Sequence, residues 1–593
     1  MIDRTTKLRW RRKFRLRRRQ VEGYSQQAEE QIDRHFFKRL NRFVGIRRFV
    51  ISWLLLFLLL SAITITQIYG LSSYYQTLEP TAGGTYSEGI VGTFTNANPL
   101  FATSDIDSTV SKLIFPGLFK YNQNNQLVGD LAQSYVSDSR GQVYTVILKD
   151  GIRWQDGSPV TAQDVVFTYK EIQDPDVGSP LFTDWQGVKV VALNANTIQF
   201  TLPDPLSSFP ESMTNGIIPE HILGNIPALA MSTATFNTVD PIGSGPFKMS
   251  AIDVLGNTPD DYEQEIGLSA NPLYYGGKPK LDRFVVDAFN NQTQMINSFE
   301  KAELNAMAGL TTLPSQLAND GTVYSYNIPL TAEVMVFFNN SQPILSDQKV
   351  RQALVESINE NSIIEGLGYP VIPAKGPLLS FQLGYNPKIV QLPTNVIDAN
   401  QLLTQDGWIL NKNGVRYKSG QPLQFNLFTQ DNSEFGYVSG ALKSQWAKVG
   451  AEVQVVPQQP TDLQSIISDK AYDSLLYGIS IGVDPDVFVY WDSSQAQLNS
   501  IPGLNLSLYK DPVADTALEG GRTRTEPALR VAKYQPFLQA WQTDAPALAL
   551  YQPRYLYITR GQLFGFDPTM INTGADRFSN VNNWEIREVR TTN

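Results

Sequence analysis

Phe49 to Ile68 reads FVISWLLLFLLLSAITITQI, twenty residues without a charge. A helix of that length rises about 30 Å, the thickness of a bilayer's hydrocarbon core. Arg47 and Arg48 stop the stretch on its N-terminal side. Residues 1–48 carry 16 Lys/Arg against 5 Asp/Glu, and the rest of the chain carries 32 against 52, which together give the net charge of −9. Basic flanks stay in the cytosol, so residues 1–48 are expected inside, 49–68 across the membrane, and everything beyond outside. A cleaved signal peptide needs a short n-region, a shorter apolar core and a small-residue cleavage site. Ile68-Tyr69-Gly70-Leu71 is a poor cleavage site, and the chain has no cysteine to carry a lipid. An uncleaved anchor is the reading that remains.

The same charge asymmetry bounds the partners. The run KLRWRRKFRLRRR (7–19) is read as a contact to anionic lipid of the cytoplasmic leaflet rather than to nucleic acid. Between Glu29 and Val44, Ile32, Phe36, Leu40, Phe43 and Val44 recur at helical spacing among arginines and lysines, the pattern of an interfacial amphipathic helix. The acidic exterior disfavours nucleic acid outside. With 42% hydrophobic and 11% aromatic residues, the part beyond the anchor can bury a large core. Zero Cys and two His, His35 and His221 on opposite sides of the expected membrane, leave little for thiolate or histidine metal sites and little for acid–base catalysis. No cofactor or metal is expected.

Residues 69–83 read as a polar tether ending at Gly83-Gly84, followed by a β-rich run at Tyr86 to Phe94. Tyr144, Val146 and Leu148 alternate as a half-buried strand, and Asp150-Gly151 and Asp156-Gly157 are turn signals. Thr161 with Asp164 three residues on forms a capping box, opening a helix that carries Val165, Val166 and Tyr169. Ser346 precedes another helix, with Val350, Ala353, Leu354 and Ile358 on one face. Further on, strand and helix alternate. Leu423–Thr429 reads as strand and Val438–Lys448 as helix, stopped by Gly450. Ala451–Val456 is strand, 463–468 is helix capped by Thr461, and Tyr472–Gly478 is strand. That rhythm implies a parallel sheet with helical crossovers.

Gly478-Ile479-Ser480-Ile481-Gly482 fits the nucleophile-elbow pattern, but no helix follows cleanly and no histidine lies downstream, so a serine hydrolase is set aside. Gly243-Ser244-Gly245 lacks a third glycine at dinucleotide spacing and reads as a turn. Asn411, Asn413 and Gly414 lack the acidic ligands of a calcium loop and read as a hairpin turn.

Several stretches taken together resemble one family. NPLFATSDIDSTVSKLIFPGLFKY (98–121), YTVILKDGIRWQDGSPVTAQDVVFTYKEI (144–172), GIIPEHIL (216–223), IGSGPFKM (242–249), YYGGKPKLDRFVV (274–286) and MVFFNNSQPILSDQKVRQALVESINENSII (335–364) are similar, in this order, to family 5 extracellular solute-binding proteins. These are the dipeptide-, oligopeptide- and nickel-binding receptors of ABC importers. The resemblance covers about residues 84–593. It implies an α/β, periplasmic-binding-protein-like clamshell of two lobes with an inserted subdomain, here preceded by a single transmembrane helix. The first lobe would gather 84–115, 241–330 and 549–593, the inserted subdomain 116–240, and the second lobe 331–548, with hinge crossings near Leu330 and Ala547. It also implies a receptor that captures peptides or similar oligomeric solutes for an ABC permease and its ATPase. A surface sensor or scaffold keeping the fold, or a receptor for a non-peptide solute, is the alternative.

Ligands of open α/β sheets bind beyond the carboxyl ends of strands. The expected contacts are therefore Gly478, Ile479, Ser480, Ile481 and Asp484, with Trp491 as an apolar wall. Ala102, Thr103 and Ser104 are expected to face them from the other lobe. One position departs from the family. Members that bind free peptides place an aspartate three residues before the Asp-Pro of this loop, where it holds the ligand's α-amino group. Here that position is Ile481, and an ammonium without a carboxylate partner is penalised on burial. Either Asp484 or Asp486 replaces it, or the amine goes unread; because both aspartates adjoin Pro485 and suit a turn, the second reading is taken.

Overall fold

A computed structural model describes residues 47–256, 262–497 and 503–592. The basic run, the amphipathic stretch and His35 lie outside the described residues. The chain divides into two compact units, one of residues 1–79 with 588–593 and one of Pro80–Arg587.

In the first unit a helix runs from Arg47 to Tyr75, seven residues past the expected end at Ile68. Its Phe49–Gln67 portion has a mean hydropathy of 2.4 and is not buried in protein. Thr64 and Thr66 return their hydroxyls to the carbonyls of Leu60 and Ala62, at 2.7 and 2.5 Å. Both polar groups are thus satisfied within the helix, as an apolar environment demands.

The second unit is organised by three sheets. A seven-stranded sheet runs in the order Val323–Pro329, Arg554–Arg560, Ala306–Leu310, Thr85–Val91, Arg283–Phe289, Glu263–Ala270 and Phe247–Leu255. Thr85–Val91 pairs in parallel with both of its neighbours. A six-stranded sheet runs Ile372–Pro373, Ala547–Gln552, Ala332–Phe338, Ser474–Ser480, Gln424–Gln430 and Glu452–Gln458. Its last three strands are mutually parallel, joined by the helices Ser433–Trp446 and Pro460–Ser468, as the alternating pattern implied. Gly450 stops the first crossover in the left-handed region at φ 80°. The second helix differs in its start. Pro460 occupies the first turn with Gln459 before it, so Thr461 does not cap. An antiparallel four-stranded sheet, Ala132–Ser137, Val143–Leu148, Thr197–Thr201 and Lys189–Asn194, lies in the inserted segment. Thr161 and Asp164 form the expected capping box. Asp347 rather than Ser346 caps the helix Gln348–Glu356. Asn411 to Gly414 closes a hairpin between Ile409–Leu410 and Arg416–Lys418.

Two chain crossings join the large sheets. One falls at Leu330–Thr331, between Val323–Pro329 and Ala332–Phe338. The other falls at Pro553 rather than near Ala547, because Ala547–Gln552 pairs inside the six-stranded sheet. The two are stitched together, since the Leu330 amide donates to the Pro553 carbonyl at 2.9 Å and the Gln552 side chain to the Leu330 carbonyl at 2.6 Å. Each sheet packs its own apolar layers, which leaves a cleft between the bodies.

Candidate ligand-binding cleft

One wall is built on the helix Asp105–Ile114. Ser104 starts it by accepting from the Asp107 amide at 3.0 Å. Asp107 in turn accepts from the Thr95 amide and hydroxyl and from the Asn96 amide, at 2.7–3.0 Å, so a buried carboxylate ties the preceding loop to the helix. At the other end Gly243 and Gly245 lie against the Ile114 carbonyl. A Cβ at Gly243 would stand 2.0 Å from that oxygen, so only glycine admits the approach. Held at both ends, the helix presents Ser108, Ser111 and Lys112 to the cleft. Beside it Asn572, Thr573 and Asp576 line a turn, and Lys112 pairs with Asp576 at 3.8 Å. Behind that turn Arg577 and Glu88 form a fully buried ion pair, to which the Tyr557 hydroxyl donates at 2.6 Å.

The inserted segment supplies a second wall, with Asp184 and Trp185, then Ser208, Glu211 and Thr214 to Gly216, and with Tyr121. Trp185 stacks on Tyr169 with centroids 3.9 Å apart, which fixes the wall's apolar floor. Glu211 sits on the short helix Phe209–Ser212. Burial, and next to it the charge of Asp484, push its carboxyl up to about 7, against smaller lowering effects from the Asp484 amide, the Tyr121 hydroxyl and Arg530.

The third wall is the loop after the strand Ser474–Ser480. The Thr331 carbonyl, at a crossing between the sheets, accepts from the amides of both Ile481 and Gly482, at 2.9 and 3.0 Å. Gln382 donates to the carbonyls of Gly482 and Asp484, at 3.1 Å each. Asp484 is gripped by Arg530 through two parallel bonds of 2.5 and 2.7 Å. Asp486 meets Arg522 at 3.3 Å and accepts from the Ser208 hydroxyl at 3.2 Å. Burial pushes the Asp486 carboxyl up, with Arg522 opposing. The three walls enclose a cavity of about 680 Å³, within the range of roughly 300–1,000 Å³ common for ligand sites.

The expected residues fall in different places. Ser480, Ile481, Asp484 and Ala102 line the cavity. Gly478 and Ile479 lie earlier in the strand, paired across to Val334 and Glu333, with Ile479 buried in the core. Thr103 is exposed outside the lining, and Ser104 serves as the helix cap. Trp491 is not a cleft wall. It is fully buried, 5.9 Å from the Phe337 ring and 5.7 Å from Trp541, because the short helix Phe488–Trp491 turns it inward. His221 stays clear of the cleft, its Nε2 2.7 Å from Asp156 across a turn. Sequence reading missed Glu211, Lys112, Arg522 and Arg530. Nothing in FPES or in the helices Asp105–Ile114, Pro512–Arg522 and Pro527–Asp544 marks them locally, since their roles come from packing against residues distant in sequence.

Two sheet bodies joined by paired crossings, with a cleft between, are the architecture of a two-lobed solute-binding protein. The model of bacterial extracellular solute-binding proteins, family 5 (middle), matches residues 126–500, and the chain belongs to that family. The oligopeptide-binding protein AppA of Bacillus subtilis is 26% identical over 490 residues, 80% of this chain and 87% of AppA. The crystal structure of NikZ from Campylobacter jejuni, in complex with Ni(L-His), superposes with a TM-score of 0.69 at 25% identity, covering 85% of this chain and 99% of NikZ. The structure of the same AppA with a nonapeptide gives a TM-score of 0.67 at 24% identity, over 86% of this chain and all of that one.

Proposed function

We propose that the chain is a membrane-anchored, extracytoplasmic receptor that captures peptides, or similar oligomeric solutes, in the cleft and delivers them to an ABC permease driven by a cytosolic ATPase. The observation that carries this reading is the cleft, walled from both sides of the paired crossings and lined by side-chain hydroxyls and amides above an aromatic floor. The oligopeptide-binding relative supports peptide as the solute. Hinge closure follows from the same geometry. The Ile481–Gly482 loop hangs from Thr331 at a crossing, so a solute bridging the walls favours the state in which they approach. The helix Phe49–Gln67 would hold the receptor at the outer face, with the basic segment inside against anionic lipid.

Two measurements test this reading. Molecules released by denaturing the purified protein and identified by mass spectrometry should include peptides, and consistent recovery of a non-peptide solute alone removes peptide as the substrate. External protease on intact cells should clip off the bulk of the chain, and a protected large fragment removes the topology.

A further inference from the structure

The carboxylates facing the cleft are not equally occupied. Asp484 is held by Arg530, Asp486 by Arg522 and Asp576 by Lys112. Among the described residues, Glu211 and Asp184 have no ion-pair partner. Asp184 is exposed, whereas Glu211 is mostly covered. Glu211 also stands across from the loop that carries Ile481. A Cβ built on Gly482 would lie 3.7 Å from Glu211 Oε2. Ionised, the lining therefore holds two negative charges that no cation on the walls neutralises; burial pushes both carboxyls up, and Glu211 the further, to about 7. A desolvated carboxylate gains most from a cation brought in by a ligand, because water competes least there.

We propose that Glu211, on the inserted segment, is the group that takes the cationic end of the solute, a primary ammonium. This rests on the cleft being the solute site. It departs from the sequence expectation that the ligand's amine goes unread. The carboxylate missing at Ile481 would be supplied from the opposite wall, and the cation would sit on the cavity side of Glu211, beside the Ile481–Gly482 turn that the carboxylate already approaches. Asp484 and Arg530 face Glu211 from the loop wall, and Tyr121 and Tyr135 from its own side. The Asp484–Arg530 pair is internally neutral, so a cation entering here meets Glu211 as its unmatched partner. Because Glu211 titrates close to neutrality in the empty cleft, cation binding would draw its proton off and strengthen as pH rises from 6 toward 8.

The test offers the full-length protein in detergent two mixtures and reads the retained molecules by mass spectrometry. One is a pool of peptides, half with free amines and half fully N-acetylated. The other is a pool of non-peptide amines, including polyamines, each beside its fully acetylated counterpart. Wild type should enrich free over blocked members by roughly tenfold or more, the scale expected for a partly buried charge pair. Glu211→Gln should abolish the enrichment while Asp204→Asn, at an exposed acid of the inserted segment outside the lining, keeps it. Peptides carrying only a lysine amine, or only an α-amine, separate the two sources of ammonium. If only the non-peptide amines are retained and Glu211→Gln cancels their preference, the peptide reading falls and the role of Glu211 stands. Equal retention of free and blocked members by wild type overturns the role of Glu211. So does a preference that survives Glu211→Gln, or retention of nothing from either pool.

Discussion

Both long walls of the cleft carry carboxylates, and the two sets are in opposite electrostatic condition. On the loop after Ser474–Ser480, Asp484 and Asp486 each meet an arginine, from the helices Pro527–Asp544 and Pro512–Arg522. On the facing segment Glu211 meets a tyrosine hydroxyl, a backbone amide and another acid's field. The loop wall is acidic in composition and neutral in effect. The opposite wall holds Glu211 and the more exposed Asp184, neither with an ion-pair partner among the described residues. Whether a carboxylate is available to a ligand is decided by what a third element packs against it, and here that element lies 46 residues further along the chain for Asp484.

The strongest challenge to this contrast is to extend the loop wall as far as Trp491. Its ring is enclosed by Phe337 and Trp541, so Trp491→Ala should lower unfolding free energy by about 3–5 kcal/mol in denaturant titration, the usual cost of emptying a large aromatic site. Among the described residues the indole N–H has no hydrogen-bond partner. Trp491→Phe should therefore cost much less. A Trp491→Ala variant that keeps its stability and loses only solute affinity would return the residue to the cleft.

The next challenge removes the loop wall's neutrality. Arg530 and Asp484 are 7% and 13% exposed in their side chains, so Arg530→Met should cost about 3 kcal/mol by leaving a covered carboxylate unmatched. It should also leave a second covered acid without a cation, facing Glu211, so that Glu211→Gln no longer abolishes the preference for free amines. If Arg530→Met is neutral in stability, Asp484 is solvated and the two walls are more alike than the ion pairs imply.

Local chemistry made much of the fold readable in advance. The capping box at Thr161, the left-handed stop at Gly450 and the parallel strand–helix alternation are all set by residues within a few positions of one another. Elements decided by competition between neighbours were displaced. Pro460 starts its helix in place of a Thr461 cap, and Asp347 outcompetes Ser346. The second crossing moved to Pro553 because cross-strand pairing claims Ala547–Gln552 for the six-stranded sheet, and no local signal encodes that. In the cleft, the loop was legible as a strand terminus, and Ser480, Ile481 and Asp484 line it. Direction within the loop was not legible. A short helix buries Trp491, and long-range ion pairs cap both aspartates.

The smallest effect isolates the opposite wall, and its sign can be worked out. Glu211 titrates at about 7 in the folded chain against an ordinary 4.5. Between those values the folded state binds more protons than the unfolded one, so this group's contribution to stability is fully present below pH 4.5 and is lost as pH rises toward 7. Asp287, pushed up to about 8 by burial and by Glu263 and Glu265, and buried Glu333, raised by burial, act in the same direction. The pH profile of wild type alone therefore assigns nothing to Glu211. The difference between wild type and Glu211→Gln does, because the other two acids are common to both. The variant should gain on wild type by an amount on the order of 1–2 kcal/mol between pH 5 and pH 8, read from denaturant midpoints without ligand. Adding an amine-bearing solute that binds should erase part of that gain, since the cation stabilises the ionised wild-type carboxylate and does nothing for the amide. A flat difference across this range would mean that Glu211 is solvated and ordinary. The two walls would then differ in composition alone.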